Sequence, residues 1–197
     1  MKPGIFEETP HCITLSDESL LDLRNPSVDS IRIQDIASSL SNVCRFNGHI
    51  EKFYSVAEHS VCVAHDALHR GCSIPECLAA LMHDATEAYI GDMSRPLKDI
   101  LGSQIDVIER GIEKAIGEAF EIDFEATRES VDVSDNAITL KEFQLFRPDC
   151  ADLLTPSFDQ VLKGYRTQWP GPKFLPPARA SNLFWHSYDF LKMQLDA

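Results

Sequence analysis

Apolar residues in this 197-residue chain recur at intervals of three and four, a spacing that lets side chains be buried only on helices that pack against one another. Phe53, Val56, Ala57, Val61, Ala64 and Leu68 trace one such stripe over about four turns, with Gly71 as its stop. Pro75 opens a second helix whose buried face is Leu78, Leu81, Met82, Ala85 and Tyr89, ended by Gly91. Ile105, Ile108, Ile112, Ala115, Ile116 and Phe120 predict a third helix with an acidic outer face, and residues from about Thr127 to Phe146 a fourth, ended by Pro148. Leu183, Phe184, Leu191 and Leu195 predict a last helix near the C-terminus. Asp35–Leu40 reads as a short helix and His11–Leu15 as a strand candidate. The stretch Thr155–Ala180 holds five of the eleven prolines, which removes the donors a regular helix needs and predicts a long irregular arm. No internal repeat is present. The expected architecture is therefore all-α, one compact domain over residues 1–197, with a site-bearing core at about 42–146 and a C-terminal extension at 147–197.

Composition narrows what such a domain can do. The longest uninterrupted apolar run, Cys77–Met82, has six residues, against the roughly 20 a helix needs to cross a hydrocarbon layer. Met1–Thr9 carries Pro, Gly and two Glu where a secretion signal would be apolar, so a cytoplasmic protein is expected. Eighteen Lys and Arg against thirty-one Asp and Glu leave a net charge of −13, which repels the phosphates of polynucleotides and anionic lipid. Neither a nucleic-acid polymer nor a membrane is an expected partner. The six cysteines are irregularly spaced and form no Cys-x-x-Cys, so reduced thiols are expected, mostly as small core residues.

The chemistry gathers at Leu81-Met82-His83-Asp84-Ala85-Thr86-Glu87. On a regular helix His83 and Asp84 point about 100° apart and can share an ion over the edge between them, leaving its other positions for other helices. Glu87, four residues after His83, lies on the same face one turn along, placed to reach a water on the metal rather than the metal itself. On the preceding helix His65 and His69 form an i, i+4 pair beside Asp66 and Arg70 and read as a solvated end. His59 sits mid-helix among Val56, Ala57 and Val61 and is the favoured donor. On the acidic helix Asp132 and Asp135 are both candidates, and Asp135 is favoured because Val131 and Ile138 place it beside the core face. Two imidazoles and two carboxylates suit one divalent ion, Mn²⁺, Co²⁺, Fe²⁺, Ni²⁺, Zn²⁺ or Mg²⁺.

Cys44-Arg45-Phe46, Val56-Ala57-Glu58-His59-Ser60, His83-Asp84-Ala85-Thr86-Glu87, Gly91-Asp92-Met93-Ser94-Arg95-Pro96 and the later Asp135 together resemble the HD-domain metal-dependent phosphohydrolases. The nearest branch is that of the bacterial 5′-deoxynucleotidases, with related phage and antibiotic-pathway nucleotide hydrolases. The likeness covers Cys44–Lys98 and the Asp135 helix. It implies a compact all-α fold in which His59, His83, Asp84 and Asp135 hold one divalent ion. Glu87 then positions or deprotonates the attacking water, Asp92 protonates the departing ribose oxygen, and Arg45 grips phosphate. A homodimer is implied by the same resemblance. Phe46 stands where the monophosphatase branch carries an indole, and it either stacks a base or fills the core. Arg95, Lys98 and Lys52 are the local cations of an acidic chain, Lys98 being preferred over Arg95 as a phosphate contact. Trp169 and Trp185 are expected in the core. The expected activity is removal of phosphate from deoxynucleoside 5′-monophosphates. The alternatives are a dNTP triphosphohydrolase, a phosphodiesterase acting on cyclic or dinucleotide substrates, and a non-catalytic nucleotide-binding module with a structural metal.

Overall fold

A computed structural model describes residues 11–196, so the reading of Met1–Thr9 as free of a secretion signal lies outside the described residues. The chain opens with a small antiparallel hairpin, β1 (Cys12–Thr14) and β2 (Leu20–Asp22), in which Thr14 pairs with Leu20. Helix α1 (Ile33–Asn42) buries Ile33, Ile36, Ala37 and Leu40, the i, i+3, i+4, i+7 row of an amphipathic helix. An isolated bridge between Cys44 and Ser55 then closes a loop: Arg45 N–H donates to the Tyr54 carbonyl at 2.9 Å and Val56 N–H to Val43 at 3.0 Å. Helix α2 (Val56–His69) starts there because the Ser55 side chain accepts from the Glu58 amide at 3.1 Å, satisfying one of the free N–H groups of the first turn.

Helix α3 (Ile74–Met82) is held at its start by Ser73 and Glu76, whose carboxylate accepts from the Ser73 amide at 2.7 Å. Its whole apolar run, Cys77 through Met82, is buried, as a helix apolar all round must be. It lies among α2, α7 (Phe124–Phe146) and α9 (Pro177–Leu195). Between them run α4 (Glu87–Ile90), α5 (Arg95–Leu101) and α6 (Ser103–Phe120), and α8 (Pro148–Leu162) packs back on α7. The mostly helical fold agrees with the expectation from periodicity, and β1 falls within the strand candidate His11–Leu15, whereas its partner β2 has no counterpart in the sequence reading. Among the described residues no helix is long and apolar enough to cross a membrane.

Three details differ from the sequence reading. The helix expected from Pro75 to Gly91 is broken after Met82: Ala85, Glu87, Ala88 and Tyr89 donate to carbonyls three residues back rather than four. Irregular structure was expected from Thr155, yet α8 runs on through Pro156 to Leu162. The carbonyl that Pro156 leaves without a donor belongs to exposed Asp152, where water can serve it, and the Thr155 hydroxyl donates to the Ala151 carbonyl at 2.7 Å. Trp169 packs against the core, but Trp185 is 39% exposed, its position on α9 turned about 100° from that of buried Phe184.

The arm proper, residues 163–176, is irregular and tied along α2. Buried Glu58 accepts from the amides of Lys173 (2.6 Å) and Leu175 (2.8 Å), and buried Asp66 accepts from the hydroxyls of Tyr165 (2.8 Å) and Thr167. All six cysteines are free, Cys77 buried and Cys150 exposed.

Candidate metal centre

His59 is fully buried in α2, and its two ring nitrogens have separate partners: Nδ1 lies 2.7 Å from Glu142 Oε1 and Nε2 3.1 Å from Asp135 Oδ1. His83 Nδ1 donates to the Ala80 carbonyl at 2.8 Å, so Nε2 is the nitrogen left for a ligand role; it is buried and makes no hydrogen bond. Asp84 Oδ2 lies 3.2 Å from His83 Nε2 and 3.7 Å from His59 Nε2. His59, His83 and Asp84 thus offer ligand atoms within 4.8 Å of one another and could hold a metal ion. Asp135 Oδ1 stands 3.7 Å from His83 Nε2, on the open side of the cluster. Ligands about 2.1 Å from a common ion sit about 3.0–3.4 Å apart, close to these separations.

The tightened turn after Met82 shapes this arrangement. A three-residue repeat stacks residues i and i+3, so Asp84, rather than His83, shares a row with Glu87. The bend also turns His83 back onto the Ala80 carbonyl, which sets the tautomer a ligand needs. Gly91, at φ +79°, ends α4 in a conformation side chains rarely adopt and delivers Asp92, half-buried, to the same region.

Glu142, wholly buried on α7, was not singled out from sequence. Besides His59 it accepts from the Tyr54 hydroxyl at 2.8 Å and from Arg45 Nη2 at 2.9 Å and Nε at 3.2 Å. The bridge that closes the 44–55 loop brings Arg45 and Tyr54 side by side, which is why both reach one carboxylate. The signal was there to read: Asp135, Thr139 and Glu142 recur at i, i+4, i+7 on one helical face, and Thr139 Oγ1 donates to Asp135 Oδ1 at 3.2 Å. Arg45 also stands 3.6 Å from Asp84 Oδ2.

The charges fit a cation site. Burial opposes protonation of both imidazoles, as Arg45 does for His59, yet the surrounding carboxylates hold His59 above and His83 well above the ordinary imidazole value. Burial likewise opposes ionisation of Asp84 and Asp135, but the two imidazoles pull both carboxyls below the ordinary range. A field that gathers protons onto imidazoles is one in which a divalent ion can replace them. Glu87 behaves oppositely: burial, then Asp84 and Asp92, push it well above its ordinary 4.5, and its Oε2 is buried without a partner. Asp92 is raised too, by burial first.

A cavity of about 450 Å³ opens beside the cluster, lined among others by His83, Asp84, Glu87, Lys98 and Glu109. Lys98 pairs with Glu109 at 2.8 Å. Arg95 is on the surface, 86% exposed and paired with Asp99, and does not line the cavity. Phe46 packs edge-on against Phe143 (5.4 Å) and Phe146 (5.6 Å). Lys52 stands 5.0 Å over the Phe174 ring, lining a different cavity. His65, His69 and Asp132, the rival ligands, are exposed.

Because Glu87 binds its proton more tightly folded than unfolded, the stability it contributes is full below pH 4.5 and is lost as pH rises through the raised folded value. Glu87→Gln stays neutral throughout. In metal-free protein it is expected to match wild type below pH 4.5 and to melt higher above it, each kcal/mol gained appearing as about 2–4 °C in chains of this length. Thermal melts across pH check this, and equal melting temperatures at neutral pH would contradict it.

Fold and centre together define a mostly helical domain with a buried His, His, Asp group able to hold a metal ion. No family model matches the chain. It is similar to the uncharacterized protein YfdR of Escherichia coli (strain K12), 53% identical over 77 residues, which is 37% of this chain and 38% of that protein. It is also similar to an uncharacterized protein of Rhodobacter capsulatus, 44% identical over 86 residues, 42% of this chain and 44% of that one. The chain thus spans less than half the length of these curated relatives.

Proposed function

We propose that the protein is an HD-domain type, metal-dependent phosphohydrolase that removes phosphate from nucleotides, deoxynucleoside 5′-monophosphates foremost. The observation that carries this reading is His83 Nε2: a buried ring nitrogen with no hydrogen bond, 3.2 Å from Asp84 Oδ2 and sharing its surroundings with His59 Nε2. Leaving such an atom unpaired is costly, and a cation is the partner this donor set suits. His59, His83 and Asp84 would hold the ion, with Asp135 as fourth ligand on the open side. A divalent ion polarises a phosphoryl oxygen and makes a coordinated water acidic.

The chain's own groups supply the rest. Glu87 Oε2, buried and unpartnered, would orient the attacking water and accept its proton once a cation beside Asp84 offsets the carboxylates that keep Glu87 protonated in the metal-free protein. Asp92, raised by burial, keeps the proton that the departing ribose oxygen takes up. Arg45 is held in place by Glu142 and Lys98 by Glu109, and both offset charge developing on the phosphoryl oxygens.

The test is protein stripped with chelator, reloaded singly with Mn²⁺, Co²⁺, Ni²⁺, Zn²⁺, Fe²⁺ or Mg²⁺, and offered deoxy- and ribonucleotide mono- and triphosphates, cyclic nucleotides and dinucleotides. Metal-dependent release of inorganic phosphate from deoxynucleoside monophosphates is expected. Tripolyphosphate would identify a triphosphohydrolase, and a linear monophosphate a phosphodiesterase. Tight metal binding with no turnover on any substrate would leave a structural ion and overturn the catalytic reading.

A further inference from the structure

Away from the metal centre a second cavity, of about 490 Å³, lies between the 44–55 loop, the end of α7 and the proline-rich arm. That volume is in the range of small-molecule sites. Its walls include the rings of Phe146 and Phe174, whose centroids are 5.9 Å apart, and its lining brings in Lys52 and Arg147. In a chain of net charge −13, neither cation joins an ion pair among the described residues. Glu51 is the one carboxylate in the lining, so the cavity carries a net positive charge. Lys52 Nζ stands over the Phe174 ring, and one Arg147 nitrogen donates to the Phe146 carbonyl, leaving the rest of the guanidinium free.

The backbone is bent to build these walls. Phe174 is held at φ +54°, in the left-handed region that bulky residues avoid. Gly171 comes so close to Leu145 that a Cβ there would sit 3.2 Å from its Cδ1. The cavity also reaches the metal centre through ring contacts. Tyr54 lies 5.9 Å from Phe146 and 6.3 Å from Phe174, and its hydroxyl donates to the same Glu142 oxygen that holds His59 Nδ1.

We propose that this cavity binds a planar aromatic ring carrying one anionic group, the chemistry of a nucleoside monophosphate, and that its occupancy acts on His59 through Tyr54 and Glu142. The ring packs against Phe146 and Phe174, and the anion meets Lys52 and Arg147. Tyr54 is a positioning residue in this scheme.

Binding is tested on the full chain carrying Asp84→Ala, which cannot hold the proposed ion, so the result is independent of whether the protein hydrolyses nucleotides. Calorimetry with AMP is expected to give one site. Adding Lys52→Ala and Arg147→Ala should weaken it about tenfold or more, and adenosine or ribose 5-phosphate should each bind about tenfold more weakly than AMP. Lys52→Glu alone, on an exposed side chain, should give the same loss without threatening the fold. AMP should move the imidazole NMR signal of His59, and Tyr54→Phe should abolish that response while leaving AMP bound. No binding at millimolar AMP, or binding indifferent to both cations, overturns the site; a His59 signal that never moves overturns the coupling.

Discussion

Asp84→Ala is expected to empty the metal centre, taking bound divalent ion from about one equivalent to background and nucleotide hydrolysis with it. Asp84 sits between the two imidazoles, 3.2 Å from one and 3.7 Å from the other, so its loss removes the negative charge that offsets a divalent ion in this group. The fall should exceed the roughly 10–100-fold that removing a ligand's hydrogen-bond partner costs. His83→Ala should behave alike, because His83 Nε2 is the atom left without any other partner. Elemental analysis and phosphate release, on protein whose circular dichroism is unchanged, read the two effects together. Hydrolysis persisting in a metal-stripped Asp84→Ala chain would remove the basis of the proposed function.

Glu142→Ala should have the largest effect on stability. Its carboxylate, with no exposure, is the common acceptor for Arg45, Tyr54 and His59 Nδ1. Without it a guanidinium only 12% exposed loses its closest counter-charge. Breaking a buried pair from one side costs about 3–5 kcal/mol, a fall of roughly 6–20 °C in melting temperature. Metal affinity should weaken with it by about 10–100-fold, because His59 loses the group that orients its ring. Glu142→Gln keeps an acceptor and should lose less. Burial opposes ionisation of Glu142, but Arg45 and then His59 hold its carboxyl below the ordinary 4.5. The stability it contributes is therefore complete above pH 4.5 and is lost as pH falls through the depressed folded value, so Glu142→Gln should flatten that acid limb. Melting temperatures of wild type and Glu142→Gln that fall in parallel with acid would show that Glu142 is not the hub described.

The residues show why some of this was legible and some not. His59, His83 and Asp84 could be found because each sits within a helical pattern that tells a buried residue from a solvated one; His65 and His69 are exposed, but Asp66 between them is buried under the arm, so that end of α2 is only in part the solvated end the pattern suggests. Glu142 is hidden from such a reading because a glutamate on an acidic helix reads as solvated, and nothing local says that a loop nearly a hundred residues earlier will set an arginine against it. The alignment of Glu87 with His83 was inferred from 3.6 residues per turn. The chain tightens to three there, so the carboxylate follows Asp84 instead.

Local patterning thus settled what is local: the helices at Val56–His69, Ser103–Phe120 and Phe124–Phe146 and the apolar faces they bury. Those follow from spacing, which is read within a few residues. Packing decided the rest: the turn at His83, the path of α8 through Pro156, the arm tied to Glu58 and Asp66, and the meeting of Arg45, Tyr54 and His59 at Glu142. These depend on which distant groups are driven into one water-poor volume, where a polar atom must find a partner or be left at a cost, and no short window of sequence contains both members of such a pair.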